Sequence, residues 1–157
     1  SCQERRVAAA LQAAGEEYYL PIRKERRKWS DRVKTVEVIL LKGMIFIKTD
    51  NARRIKLLQG IYGLCAFMAD RSTHQPVTIP DSQMEAFMFM VDRSSRPVMI
   101  STEQFSIGDK VRICCGSLEG LEGELMRVGS KHRLELRLQH QLSAKVDVEV
   151  SDVEKIS

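Results

Sequence analysis

The strongest constraint on this chain's fold is the strict two-residue periodicity that sets in after about residue 108. Val111 and Ile113 alternate with Arg112, Leu134, Leu136 and Leu138 alternate with Glu135 and Arg137, and Val146, Val148 and Val150 alternate with Asp147 and Glu149. Successive side chains of a strand point to opposite faces, so this pattern predicts half-buried strands. Gly108, Gly116, Gly120, Gly123 and Gly129 fall at or near the turns, where a missing Cβ permits tight bends or close strand approach. Short strands punctuated in this way are expected to close into a small β-barrel, which leaves fewer open edges. Leu134 to Leu142 is also rich in helix formers, but its alternation favours a strand.

The first half follows another code. Ser1 to Glu4 has the S-x-x-E form of a capping box, Val7, Leu11 and Ala14 recur at helical spacing, and Gly15 supplies a stop. Tyr18 to Ile22 and the run Val36, Val38, Leu40 read as strands joined by a basic hairpin, and Met44 to Ile47 reads as a central strand covered on both faces. Asn51 is expected to cap a second helix with Ile55 and Leu58 inward, followed by a strand at Leu64 to Met68. A third helix is expected from about Asp81, with Met84, Phe87, Met88 and Val91 on one face. The polar stretch around Arg93 to Pro97 breaks the periodicity, although Val98 and Ile100 can dock on a neighbour. The expected class is α+β: an N-terminal α/β sandwich over residues 1–92, in which helices flank an antiparallel sheet, a linker over 93–104, and a C-terminal barrel over 105–157.

Several function classes are excluded at this stage. The chain has 157 residues, and no apolar run in it approaches the ~20 residues of a membrane span. No membrane partner is expected. Cys2, Cys65, Cys114 and Cys115 form no C-x-x-C pair, which argues against zinc or a disulfide framework and fits a reducing compartment such as the cytoplasm. His74, His132 and His140 lack ligand spacing, and the glycines at 116, 120 and 123 lack the GK[ST] of a phosphate loop. With no nucleophile and base pair in view, the expectation is a binding protein with no cofactor, not an enzyme.

Charge locates the binding surface. The first sixty residues carry 14 Lys and Arg against 7 Asp and Glu, and the remainder carries 11 against 14. Arg23, Lys24, Arg26, Arg27, Lys28, Arg32 and Lys34 enclose Trp29, with Glu25 and Asp31 the only acids among them. Cations for phosphates beside an aromatic for base stacking suit nucleic acid, and the plainer alternative is a solvated hairpin whose tryptophan packs locally. From Phe105 onward the balance is 8 against 9, which is too neutral to wrap ribosomal RNA and points to protein partners.

The C-terminal residues Phe105, Gly108, Asp109, Val111, Arg112, Ile113, Gly116, Gly120, Gly123 and Val128, with Val153 to Ile156, resemble a KOW module. Glu4, Val7, Leu11, Gly15, Tyr19, Leu20 and Pro21, then Trp29 to Arg32, Lys34, Val36 and Glu37, then Gly43 to Ile47, resemble the NGN domain of the NusG superfamily. Lys28 to Val38, with Pro76, Ile79, Pro80, Asp81 and Met84, is most similar to the UpxY-type antiterminators of capsular polysaccharide operons. That fold implies an opening strand with an aromatic pair before the first helix, so the true N-terminus is expected upstream of Ser1.

The resemblance implies a transcription elongation or antitermination factor. Its apolar groove would grip the β′ clamp helices of RNA polymerase through Leu41, Met44, Phe46, Phe67, Met84 and Phe87, residues that could instead simply fill a core. Lys42 and Met44 depart from the proline and tyrosine common in the family. Non-template DNA or nascent RNA are the implied nucleic-acid partners. In relatives the loop matching Gln139, His140, Gln141, Leu142 and Ser143 meets a small-subunit ribosomal protein or Rho, with Leu142 the best anchor here. The alternative function is a ribosome-associated RNA-binding protein of the KOW type.

Overall fold

In the computed structural model, which describes residues 2–102, 108–139 and 141–156, the chain divides into two compact units, Ser1–Met68 and Ala69–Ser157. Ser1, Phe105 and His140, three positions used in the sequence reading, lie outside the described residues.

The first unit opens with α1 (Cys2–Ala13), whose Val7 and Leu11 are buried one turn apart. Gly15 ends it in the left-handed region at φ 73°. There the Gly15 N–H donates to Gln12 O and the Glu16 N–H to Leu11 O, the paired bonds by which a glycine closes a helix. Glu4, the last residue of the expected capping box, accepts from Gly43 N across the unit, and Ser1, the first, lies outside the described residues. Two antiparallel pairs follow: β1 (Glu17–Tyr19) with β4 (Phe46–Lys48), and β2 (Ile22–Lys28) with β3 (Val33–Ile39). The strand expected at residues 44–47 is therefore short and pairs on one side only among the described residues, not at the centre of a sheet.

α2 (Asn51–Gly60) begins one residue earlier than expected, because the Asp50 carboxylate accepts from Arg53 N at 2.8 Å and takes the cap. Packing against Val7 and Leu11 turns Leu57 and Ile61 inward, and Ile55, expected inward, is half exposed. Val7, Leu11, Leu57 and Ile61 form the core, with Tyr18, Ile45, Ile47 and Leu64 packed against it. The segment 64–68 forms no strand, and its neighbourhood contributes a single bridge, Ala69 to Pro76.

The second unit contains α3 (Asp81–Arg93) and six antiparallel strands in the order β10-β6-β7-β8-β9-β5. These are β5 (Val98–Ser101), β6 (Asp109–Ile113), β7 (Glu122–Val128), β8 (Lys131–Leu138), β9 (Leu142–Val148) and β10 (Val153–Lys155). Asp81 in the first turn of α3 and Arg93 in the last complement its dipole. The alternation sets the register: Leu134 faces Val146, Leu136 faces Ala144 and Leu138 faces Leu142, all buried. α3 packs on β8, and Gln139 N donates to Gln83 Oε1 from one to the other.

Three expectations change here. The strands do not close into a barrel: among the described residues β5 and β10 are edges that do not pair, so the sheet is open. β5 lies within the expected linker and extends the sheet by pairing with β9, Val98 opposite Val146. β8 is covered on both faces, since Glu135 is as deeply buried as the leucines on either side of it. Glu135 sits there between Arg137 at 3.6 Å and Lys145 at 4.0 Å, while Arg137 also reaches Glu124 at 3.0 Å. Paired charge makes such burial tolerable. Among the described residues no helix is long and apolar enough to cross a membrane.

Candidate functional site

The short pair β1–β4 sorts the apolar residues of the first unit between two faces. Tyr18 lies opposite Ile47 and Tyr19 opposite Phe46. Tyr18, Ile45 and Ile47 pack against the helical core, so strand alternation turns Tyr19 and Phe46 the other way, and Met44 lies two residues ahead of Phe46, just before β4. The rings of Tyr19 and Phe46 meet with centroids 6.3 Å apart at 37°. Leu41, Met44, Phe46 and Phe67 are all half buried. Tyr19 is a member the sequence reading did not assign to this face. The signal was present in the Tyr18–Tyr19 pair, because neighbours on a strand cannot share a side.

Gly43 bends the chain between Leu41 and Met44 at φ 78°, a conformation open to glycine at little cost. Glu4 Oε1 accepts its N–H at 2.8 Å, tying the bend to α1. The other two candidates, Met84 and Phe87, belong to the second unit on α3. Phe87 is completely buried and Met84 half buried. The six residues are thus divided between the units, four in one and two in the other.

The basic residues form a ribbon. Arg23 pairs with Val38, Lys24 with Glu37, Glu25 with Val36, Arg26 with Thr35, Arg27 with Lys34 and Lys28 with Val33. Trp29 N donates to Arg32 O at 2.7 Å and closes the turn around Ser30 and Asp31. Trp29 is 54% exposed, so part of its ring surface is open to a partner. Glu37 is engaged by Arg5 of α1 at 3.3 Å and Glu25 by Arg27 at 3.8 Å. The distal half therefore carries a cationic excess around an accessible indole.

In the second unit, Leu142 is not a loop anchor. It is the first residue of β9, lies opposite Leu138 and is 2% exposed. Gln139, at φ 51°, holds α3 through its backbone, and His140 lies outside the described residues. Cys115 is exposed, and its Sγ donates to Asp152 Oδ1 at 3.1 Å. That bond, followed by desolvation and the Asp152 charge, raises the thiol above its usual pKa. Among the described residues no cluster of His, Cys, Asp or Glu could hold a metal ion.

Residues 1–88 match the family model described as transcription termination factor nusG, more than half of the 157 residues. No curated protein matches the chain. Among solved structures, one titled for domain interaction in Thermotoga maritima NusG is 21% identical. It covers 99% of this chain and 89% of that one with a TM-score of 0.51, a likeness of fold.

Proposed function

The chain belongs to the NusG family of transcription factors, and from that premise we propose that it is an elongation or antitermination factor which docks on RNA polymerase through an NGN-type first domain. NusG-family proteins are not enzymes, and they interact with RNA polymerase. What carries the reading is the face formed by Tyr19 and Phe46, apolar yet turned away from the helical core, with Met44 just ahead of it. A helical partner such as the β′ clamp helices would cover it, each apolar side chain contributing about 1.5–3 kcal/mol when fully buried. Leu41 and Phe67 would extend the face; the other two candidates, Met84 and Phe87, lie in the second unit on α3, where Phe87 is completely buried and so is not open to a partner.

The six candidates all lie within the 88 residues of the family match. Within the family we assign the chain to the UpxY-type branch, on the run Lys28 to Val38 and the start of α3, and hence to long operons such as those for capsular polysaccharide. The KOW-like second domain would tether a protein partner, a small-subunit ribosomal protein or Rho, through the segment around Gln139 and Gln141. The basic ribbon, from Arg23 to Arg32, would contact non-template DNA or nascent RNA. The setting is cytoplasmic.

Leu41→Glu with Met44→Glu tests the groove. Loss of polymerase co-purification with the melting transition intact is the expected outcome, and undiminished co-purification would refute the assignment.

A further inference from the structure

Arg27 and Lys34 are directly opposed across β2 and β3. Opposed residues of an antiparallel pair hold their Cβ atoms about 4.5–5.5 Å apart, and like charges so placed destabilise the pair. Continuing the alternation one residue into the turn puts Trp29 and Arg32 on this same face, beyond Arg27 and Lys34. The face has one acid, Glu25, whose bond to Arg27 spans 3.8 Å between side chains 58% and 37% exposed. An accessible pair of this kind holds its guanidinium weakly. The opposite face carries Lys24, Arg26 and Lys28 but no aromatic, and its Glu37 is already engaged by Arg5.

We propose that the face formed by Arg27, Trp29, Arg32 and Lys34 binds a single-stranded nucleic acid, with a phosphate between Arg27 and Lys34 and the adjoining base stacked on Trp29. This rests on the nucleic-acid reading of the ribbon and adds which form is bound, by which side, and in what register. An anion between the opposed cations relieves the repulsion the free ribbon carries. The indole needs a base with an open face, and duplex bases are stacked on both sides. An unpaired nucleotide offers its base face and its phosphate together.

Trp29 is the chain's only tryptophan, so its fluorescence reports the contact without labelling. The full chain is titrated with oligothymidylate and oligouridylate of about six nucleotides, and with a blunt duplex. Both single strands are expected to quench Trp29, and a preference between them names the sugar. The duplex is expected to leave the emission unchanged. With three cations engaged, affinity should fall with salt at a logarithmic slope of about −2.

Lys34→Glu should weaken single-strand binding at least tenfold and raise the melting temperature, because it converts an opposed like pair into an attractive one. Trp29→Phe, which keeps a stacking ring, should retain binding by electrophoretic mobility. Salt-dependent binding of either form with unchanged Trp29 emission would overturn the stacking register and leave the broader nucleic-acid reading standing. Equal quenching by the duplex would overturn the single-strand assignment alone. Absence of binding at low salt would overturn both.

Discussion

Glu4 Oε1 accepts the N–H of Gly43 at 2.8 Å, joining the first turn of α1 to the bend that separates Leu41 from Met44. Glu4 is 6% exposed, so this charge-assisted bond forms away from water. Hydrogen bonds to charged groups contribute about 1.5–3 kcal/mol. Glu4→Ala should therefore lower the stability of the first unit by about 2 kcal/mol and weaken polymerase binding even though position 4 lies outside the proposed contact face. Urea denaturation alongside a polymerase pull-down checks both. A stability loss without any binding loss would separate the bend from the docking face.

Gly123 is required by close packing, not by its backbone angle. A Cβ placed there would meet Glu135 O at 2.8 Å and the Leu134 side chain at 3.0 Å. Backbone cannot yield as a flexible side chain can, so Gly123→Ala should destabilise the second unit by roughly 1–3 kcal/mol, the usual range for overpacking. Gly116→Ala provides the contrast. Its φ of 89° strains any L side chain but nothing stands within 4 Å, so its cost should be the backbone term of about 1 kcal/mol. Thermal denaturation of the two variants ranks them.

The bond from Cys115 to Asp152 has a chemical consequence. Because it raises the thiol's pKa, less thiolate is present at any given pH below the titration midpoint, and the thiolate is the reactive species. Cys115 should be alkylated by iodoacetamide more slowly than an unstructured cysteine peptide at pH 8, a condition near the usual cysteine pKa of about 8.5. Asp152→Asn should bring the midpoint down toward the ordinary value. Mass spectrometry of the peptide containing Cys115 gives the rate.

Much of the fold could be read from local pattern. Period two placed β6, β8 and β9, and Gly15 stopped α1 where the glycine adopts positive φ. What local pattern could not supply was tertiary context. Val98 and Ile100 read as able to dock on a neighbour, but only the structure shows that the neighbour is β9. Glu135 reads as a solvent-facing alternate, yet the second face of β8 is covered and the carboxylate is held by Arg137 and Lys145. On α2, contact with Val7 and Leu11 selects Leu57 and Ile61 as the inward pair, where spacing within the helix had offered Ile55 and Leu58.

The site was legible to a similar degree. The basic ribbon was visible as a charge run, but the opposition of Arg27 and Lys34 needed the register. Met44 and Phe46 could be picked out by type, but that Ile45 and Ile47 beside them pack against the helical core needed the structure. Leu142 was misassigned for the converse reason. A leucine beside polar residues reads as a loop until its partner across the sheet, Leu138, encloses it.

On the proposed function, this chain acts on transcribing RNA polymerase through the face carrying Met44. The lifetime of purified polymerase at a defined pause, with and without the chain, tests it most directly. The native chain should shorten the pause, and the chain carrying Leu41→Glu with Met44→Glu should leave it unchanged while melting cooperatively. A pause shortened equally by that double variant would contradict the account.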